Sequence, residues 1–141
     1  MYNNFNMERY LGQNIIKGIK KLLNEANLKA KYIKVTDAIK LINDDNYIFI
    51  DIRDIRELKR EGKVPGAFSC PRGMLEFWID PESPYHKEIF NQDKSYIFYC
   101  ASAWRSALAV KTAAEMGLNP VFHIEGGFSA WVATDGPVEK I

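Results

Sequence analysis

The residues with the clearest chemical potential lie in one short segment, Tyr99-Cys100-Ala101-Ser102-Ala103-Trp104-Arg105-Ser106-Ala107. A run of β-branched and aromatic residues ends at Tyr99, and a helical pattern begins near Arg105. Cys100 is therefore predicted at the carboxyl end of a buried strand, facing a helix N-terminus. Ligand sites of α/β sheets lie at such ends, and the helix dipole favours an anion there. A thiol in this position ionises more easily than a free thiol, and the thiolate is the nucleophilic form.

The residues after Cys100 are predicted to complete an active-site loop made of Ala101, Ser102, Ala103, Trp104 and Arg105. Three small side chains allow successive backbone amides to turn toward the sulfur and form an anion-binding nest. Arg105 adds a permanent positive charge with a donor geometry suited to an oxyanion. The competing interpretation is a buried structural cysteine at a strand end, which is the usual state of a lone intracellular cysteine.

Alternating strand and helix patterns indicate the elements that position this loop. Continuous apolar runs at 47–50, 95–99 and 121–124 are typical of strands buried on both faces of a parallel sheet. Helical patterns cover 54–60 and 106–116, and Gly117 suits the C-terminal cap of the second helix. The order predicts an α/β fold with a central, mainly parallel sheet flanked by helices.

The N-terminal part differs from the rest and is assigned to 1–31, with the main domain at 32–141. Apolar residues recur at helical spacing over 8–29, which predicts an amphipathic helix with one apolar stripe. We expect the stripe to dock on the sheet or on a second copy of the chain, so a homodimer is an expectation. Attachment to a membrane surface is the alternative, disfavoured by the asparagines and by Gly12 and Gly18.

Composition excludes several classes of protein. The chain has 141 residues, 47% of them hydrophobic and 26% charged, which suits one globular domain. A net charge of +1 does not indicate nucleic-acid binding. The N-terminus lacks a signal-peptide pattern and no apolar run could span a bilayer, so a cytoplasmic location without membrane contact is expected. The two cysteines and two histidines do not have metal-ligand spacing, so no metal site is expected.

Four segments, in order, resemble the motifs of rhodanese domains. They are Asp51-Ile52-Arg53, Gly62-Lys63-Val64-Pro65-Gly66-Ala67, the loop that begins at Cys100, and Glu125-Gly126-Gly127-Phe128-Ser129-Ala130-Trp131 followed by Gly136-Pro137. The resemblance covers about residues 32–138. It implies a rhodanese-like three-layer sandwich with a sheet of about five strands.

The resemblance also implies an activity. Cys100 would be the nucleophile of a sulfurtransferase, carrying sulfane sulfur as a persulfide from thiosulfate or another persulfide to a nucleophilic acceptor, with no cofactor. The spacing from Cys100 to Arg105 is Cys-x4-Arg, as in sulfurtransferases of the family. Related dual-specificity phosphatases have the longer Cys-x5-Arg, which disfavours phosphatase chemistry. The alternative function is a non-catalytic rhodanese-like module that binds or regulates a partner.

Departures from the family pattern qualify the expected substrate. Ala103 stands where the family often has glycine, and a positive φ there would cost an alanine on the order of 1 kcal/mol. Ala101 and Trp104 stand where many thiosulfate-using members have cationic or polar residues, so the loop is expected to attract a dianionic donor less strongly. The expected donor is therefore a protein persulfide or a less charged thiol derivative.

Three residues outside the loop, Asp51, Arg53 and Arg72, are candidates for supporting roles. Asp51 and Arg53 are predicted to hold the loops at the strand ends as a structural ion pair. Arg72 is a candidate substrate contact in a segment rich in large apolar side chains. Cys70 is interpreted as a plain buried cysteine, with a resolving thiol for Cys100 as the alternative. Both histidines, His86 and His123, are interpreted as isolated, the second as a strand residue packed in the sheet.

Overall fold

A computed structural model describes residues 12–141. Five strands form one sheet: β1 (Tyr32–Ile33), β2 (Tyr47–Asp51), β3 (Phe68–Ser69), β4 (Ser95–Tyr99) and β5 (Val121–Ile124). Their order across the sheet is β1-β5-β4-β2-β3, and every neighbouring pair is parallel. The expected α/β fold with a parallel sheet of about five strands is confirmed. The central strand is β4, which is the strand that leads into Cys100.

Helices connect the strands and cover the sheet. The α-helices are α1 (Ile19–Lys29), α2 (Val35–Ile39), α3 (Ile55–Glu61), α4 (Leu75–Ile79), α5 (Trp104–Met116) and α6 (Gly127–Ala133). Two short 3₁₀ turns, Arg72–Met74 and Glu88–Phe90, lie in the long connection between β3 and β4. Asp54 and Glu57 form a capping box at the start of α3. The Asp54 side chain accepts a hydrogen bond from the backbone N–H of Glu57, and the Glu57 side chain accepts one from the backbone N–H of Asp54.

Alternate residues of the strands pack into two hydrophobic cores, one on each face of the sheet. On one face, Ile50, Phe98 and Val121 pack with residues of α4 and α5. On the other face, Phe49 and Ile97 pack with residues of α2 and α6, among them the fully buried Trp131. Side chains that point to opposite faces along each strand explain why these runs are apolar throughout. The two cores hold the sheet rigid beneath the loop that follows β4.

The N-terminal helix is shorter than the pattern predicts. Residues 8–11 of the predicted helix lie outside the described residues, and α1 begins only at Ile19. Gly18 precedes it in an extended conformation and Gly12 has a φ of 83°. Glycines weaken helices because they have more conformational freedom to lose, which explains the later start. From residue 12 onward, no helix has the length and apolar character needed to cross a membrane.

The helix α1 docks on α5 and not on the sheet itself. Leu23 and Ala26 on α1 form a small cluster with Ala107 and Leu108 of α5. The helix α5 follows directly after the loop that begins at Cys100, so α1 packs on the element that continues from this loop. The expected homodimer and the two-part division of the chain stay predictions.

Candidate active site

Cys100 follows directly after the central strand β4 and is 1% exposed. Its Sγ accepts a hydrogen bond from the backbone N–H of Ser106 at 3.3 Å, and the Ser106 Oγ lies 3.5 Å from the same sulfur. The Ser106 amide belongs to the first turn of α5, where backbone N–H groups have no partner within the helix. The helix N-terminus therefore presents a donor and its positive dipole end to the sulfur.

Ala103 turns the chain from the loop into α5. Its φ and ψ are 72° and 4°, in the left-handed region, and it is the N-cap residue of the helix. This is the backbone region in which many members of the family place a glycine. An alanine there is strained by about 1–2 kcal/mol because its Cβ approaches the backbone. The loop nevertheless closes in six residues from Cys100 to Arg105.

The start of α6 anchors the first half of the loop. The backbone N–H of Phe128 donates to the carbonyl of Cys100 at 2.8 Å, and that of Ser129 donates to the carbonyl of Ala101 at 3.0 Å. Gly127 lies against the same segment with a φ of 64°, and a Cβ there would meet the Ala101 carbonyl oxygen at 2.6 Å. The motif glycine is thus required by a close backbone approach. These bonds keep the two carbonyls engaged with α6.

Arg105 is bound by an acidic residue that the sequence analysis missed. Its Nη1 and Nη2 donate to the two carboxylate oxygens of Glu57 at 2.8 and 2.9 Å. Hydrogen bonds from Arg105 lower the pKa of Glu57 against the opposing effect of burial. The pKa of Arg105 is raised, first by the Glu57 hydrogen bonds, with a smaller contribution from Cys100. The loop cation is therefore held in place and its charge is largely offset.

Asp51 and Arg53 form a fully buried ion pair, with the Arg53 Nη2 donating to Asp51 Oδ2 at 2.8 Å. The same Nη2 donates to the carbonyl of Gly62 at 2.8 Å, and the guanidinium lies 4.2 Å from the centre of the Phe128 ring. Arg53 thus joins the end of β2, the end of α3 and the start of α6. These contacts suit the predicted structural role. A buried charge pair of this kind is stable only because its hydrogen bonds are satisfied.

The other two candidates contact different partners. Arg72 donates to Glu76 Oε1 at 2.8 Å and to Thr112 Oγ1 at 3.5 Å. At the rise of an α-helix, Thr112 lies about 10 Å further along α5 than Arg105. The contact of Arg72 with α5 is therefore that far from the end of the loop. The Cys70 thiol is buried in the same core as Cys100, and burial raises its pKa to about 12. Cys70 is therefore a neutral thiol at physiological pH and a poor nucleophile.

A second residue missed from the sequence is His123 on β5. Its Nδ1 lies 3.0 Å from the Ser106 Oγ, which in turn contacts the Cys100 sulfur. The ring is 5% exposed, and burial lowers its pKa to about 4. It is therefore neutral at physiological pH. The sequence placed His123 correctly in a strand but carried no signal that Ser106, 17 positions away, would be its partner.

No group of three or more histidine, cysteine, aspartate or glutamate side chains suited to a metal occurs among residues 12–141. The chemistry of the site rests on one sulfur, its hydrogen-bond donors and one paired cation.

A profile of the rhodanese-like domain matches residues 34–134. The chain belongs to the rhodanese-like domain family. This rhodanese-like domain is similar to the mouse protein named "Thiosulfate sulfurtransferase/rhodanese-like domain-containing protein 3", with 30% identity over 105 residues, 71% of this chain and 67% of the relative. It is similar to "Thiosulfate sulfurtransferase GlpE" of Pseudoalteromonas translucida, with 25% identity over 103 residues, 73% of this chain and 90% of the relative.

The rhodanese-like domain also resembles a solved structure from Rhodopseudomonas palustris, a protein of unknown function described as a possible tyrosine phosphatase. The two are 56% identical, with a TM-score of 0.87 over 90% of this chain and 98% of that one. The family and the relatives named sulfurtransferases support a sulfurtransferase-type function for this rhodanese-like domain.

Proposed function

We propose that this rhodanese-like domain transfers sulfane sulfur through a persulfide on Cys100. The observation that carries the proposal is the position of the Cys100 sulfur, which accepts the Ser106 amide at the N-terminus of α5, six residues inclusive from Arg105. A preorganised donor aimed at a developing anion stabilises it without reorganisation during the reaction. The nucleophile is thus supported by the backbone, and no cofactor is needed.

In the first step the Cys100 thiolate attacks the outer sulfur of a donor R–S–SH. A new S–S bond forms on Cys100, the donor's S–S bond breaks, and the electron pair leaves with R–S⁻, which takes up a proton. In the second step a nucleophilic acceptor attacks the outer sulfur of the Cys100 persulfide. The S–S bond on Cys100 breaks and the thiolate is regenerated. Covalent catalysis of this kind divides one transfer into two steps and gives ping-pong kinetics.

The charges around the loop favour a persulfide donor over thiosulfate. Arg105 is paired with Glu57, Arg53 with Asp51, and Arg56 with Asp54. Each cation is offset by a carboxylate, so a dianion gains little attraction at the site mouth. Trp104 is 63% exposed and presents an apolar surface at the loop. These features support a thiol-borne persulfide, on a small thiol or on a protein, as the donor.

Intact-mass spectrometry after incubation with each donor tests the proposal. We expect the mass to increase by one sulfur atom with glutathione persulfide and less completely with thiosulfate, and the adduct to disappear with dithiothreitol. Cys100→Ser should form no adduct, whereas Cys70→Ala, the matched control, should load like the wild type. Failure of the wild type to load from any donor would favour the alternative function, a non-catalytic module that binds or regulates a partner.

The description of the Rhodopseudomonas palustris protein raises phosphatase activity as a second candidate for testing. The six-residue loop of this chain opposes it, because the phosphatase relatives have one residue more. We expect no hydrolysis of p-nitrophenyl phosphate above the Cys100→Ser background. Turnover that depends on Cys100 would overturn the sulfur-transfer assignment.

A reducing compartment such as the cytoplasm suits this chemistry. Cys70 and Cys100 are both free in the structure, and a reducing compartment would keep them as thiols. We expect both cysteines to be reduced in protein isolated under alkylating conditions from the native organism.

A further inference from the structure

A hydrogen-bonded chain of three side chains runs from the nucleophile into the sheet. It joins Cys100 Sγ to Ser106 Oγ at 3.5 Å and Ser106 Oγ to His123 Nδ1 at 3.0 Å. Cys100 is 1%, Ser106 0% and His123 5% exposed. Because these three side chains are almost entirely removed from water, the direction in which each proton points is determined by the neighbouring side chain.

The direction of the Ser106 O–H bond decides whether the sulfur faces the hydroxyl proton or the oxygen lone pairs. A serine hydroxyl has one proton to donate, and its oxygen accepts up to two hydrogen bonds. If the proton points at Nδ1 of His123, the oxygen lone pairs face the sulfur and oppose a negative charge. If Nδ1 carries a proton and donates to the oxygen, the hydroxyl proton is free to point at the sulfur and stabilise its anion. The tautomer of His123 therefore selects between these two states.

We propose that His123 is a positioning residue for the reaction of Cys100: as a neutral imidazole protonated on Nδ1, it donates to Ser106 Oγ and directs the Ser106 hydroxyl proton at the sulfur. This role rests on the proposed function, because it assigns how the anionic sulfur of that reaction is stabilised. His123 acts through Ser106 and touches no substrate.

The surroundings of His123 support a neutral ring. His123 is two residues after Val121 on β5, so its side chain points to the same sheet face, whose apolar core packs against α5. Burial lowers its pKa to about 4, so the ring keeps one proton and stays uncharged at physiological pH. A neutral ring provides one donor and one acceptor nitrogen, whereas an imidazolium would have donors only.

Two replacements of His123 separate positioning from packing. Asn and Leu both branch at Cγ, but only Asn keeps a polar atom near the place of Nδ1. We expect His123→Leu to slow alkylation of Cys100 by iodoacetamide at neutral pH by about tenfold, as for a hydrogen bond to a charged group. His123→Asn should recover most of that loss. Equal rates in the two variants would overturn the proposal, because restoring a polar atom beside Ser106 would then have no effect on the rate.

A double variant tests whether His123 acts through Ser106. Ser106→Ala should slow alkylation to a similar extent, and adding His123→Leu should produce no further loss. Multiplied losses would contradict the proposed route. Alkylation at Cys100 is read from its own peptide by mass spectrometry, and thermal melts show which variants are folded.

The native protein offers a second measurement that needs no variant of the chain. The sequence has two histidines, and the Nδ1 of His86 lies 2.9 Å from the carbonyl of Trp78. A carbonyl only accepts, so the His86 ring carries a proton on Nδ1, and its Nε2 lies 3.6 Å from Glu88 Oε1. At a pH at which ultraviolet absorbance shows Cys100 as a thiolate, we expect the imidazole ¹⁵N shifts of His123 to be those of a neutral ring protonated on Nδ1. An Nε2–H tautomer in that state would overturn the proposal.

These outcomes are independent of the test of function. Alkylation rates and ¹⁵N shifts report on the Cys100 thiolate and need no sulfur donor. A wild type that shows the expected tautomer and variant pattern but forms no persulfide would contradict the proposed function alone. A wild type that forms the persulfide while His123→Leu and His123→Asn behave alike would contradict the role of His123 alone.

Discussion

Arg105 and Glu57 lie 48 positions apart in the chain and meet in a two-point ion pair, with N–O distances of 2.8 and 2.9 Å. The pair connects the loop after β4 to the first turn of α3. Glu57 also accepts the backbone N–H of Asp54 at 3.0 Å, so the same carboxylate caps α3 and holds the loop cation. The orientation of Arg105 after β4 is therefore coupled to the start of α3, which lies in the connection between β2 and β3.

This relationship predicts a pH-dependent contribution to stability. The Arg105 hydrogen bonds lower the pKa of Glu57 from its ordinary 4.5 in the folded state. A lowered pKa means that the pair stabilises the fold above pH 4.5, and that this stabilisation is lost as pH falls through the folded-state pKa. At neutral pH, Glu57→Gln should reduce the free energy of unfolding by about 1 kcal/mol, the range for partly exposed pairs.

Urea unfolding at neutral pH and well below pH 4.5 measures the effect. The difference between wild type and Glu57→Gln should shrink in acid, whereas the exposed Glu125→Gln should show little difference at either pH. A difference that stays constant on acidification would contradict the coupling of Glu57 to Arg105.

The strained alanine in the loop predicts a stabilising substitution. Ala103 has a φ of 72°, a conformation that glycine adopts without a Cβ clash. Ala103→Gly should raise the free energy of unfolding by up to about 1 kcal/mol, because relief of strain exceeds the extra entropy of the unfolded chain. Ala101→Gly is the matched control in the same loop, since residue 101 is not among the described positions with positive φ. It should lower stability, and equal effects of the two changes would argue against strain at Ala103.

The close approach of Gly127 to the loop predicts a loss of both stability and reactivity. In Gly127→Ala the new Cβ would meet backbone oxygens of Ala101 and Cys100 at 2.6 and 2.7 Å. We expect destabilisation of at least about 2–3 kcal/mol, since backbone strain and a rigid clash combine. Persulfide loading of the folded fraction should also fall, because the loop must shift to admit the Cβ.

Gly66→Ala is the matched control for this effect. Gly66 has a φ of 77°, similar to that of Gly127, but nothing lies within 4 Å of the added Cβ. This variant should lose only about 1–2 kcal/mol from backbone strain and load persulfide normally. Urea melts and intact-mass loading measure both properties. Equal loading by the two variants would show that the loop tolerates displacement by α6.

The two cysteines should differ sharply in reactivity. Burial raises the pKa of Cys70 to about 12, so its thiolate is scarce at neutral pH. In the folded protein, iodoacetamide should therefore modify Cys100 and leave Cys70 unmodified, and in concentrated urea it should modify both. Peptide mass spectrometry gives the extent at each site. Formation of a Cys70–Cys100 disulfide during sulfur transfer would instead support the resolving-thiol alternative.

Much of the fold followed from local patterns in the sequence. The apolar run before Cys100, the small residues after it and the helix closed by Gly117 are consecutive, so periodicity and propensity were enough to predict strand, loop and helix. The start of α1 was predicted too early, because the apolar repeat continues through Gly18 while the helix does not. Periodicity records which side chains are apolar and says nothing about the stability of the backbone between them.

The sequence by itself determined the place of Cys100 after a strand, the length of the loop that follows it and the family, since these depend on residue types at short, ordered spacings. Only the tertiary structure decided which side chains surround the sulfur. Glu57, His123 and the amides of α6 reach the loop because β4 lies between β2 and β5, so that connections distant in sequence converge at one edge of the sheet. Strand order depends on the packing of the whole chain, and no local pattern around Cys100 contains it.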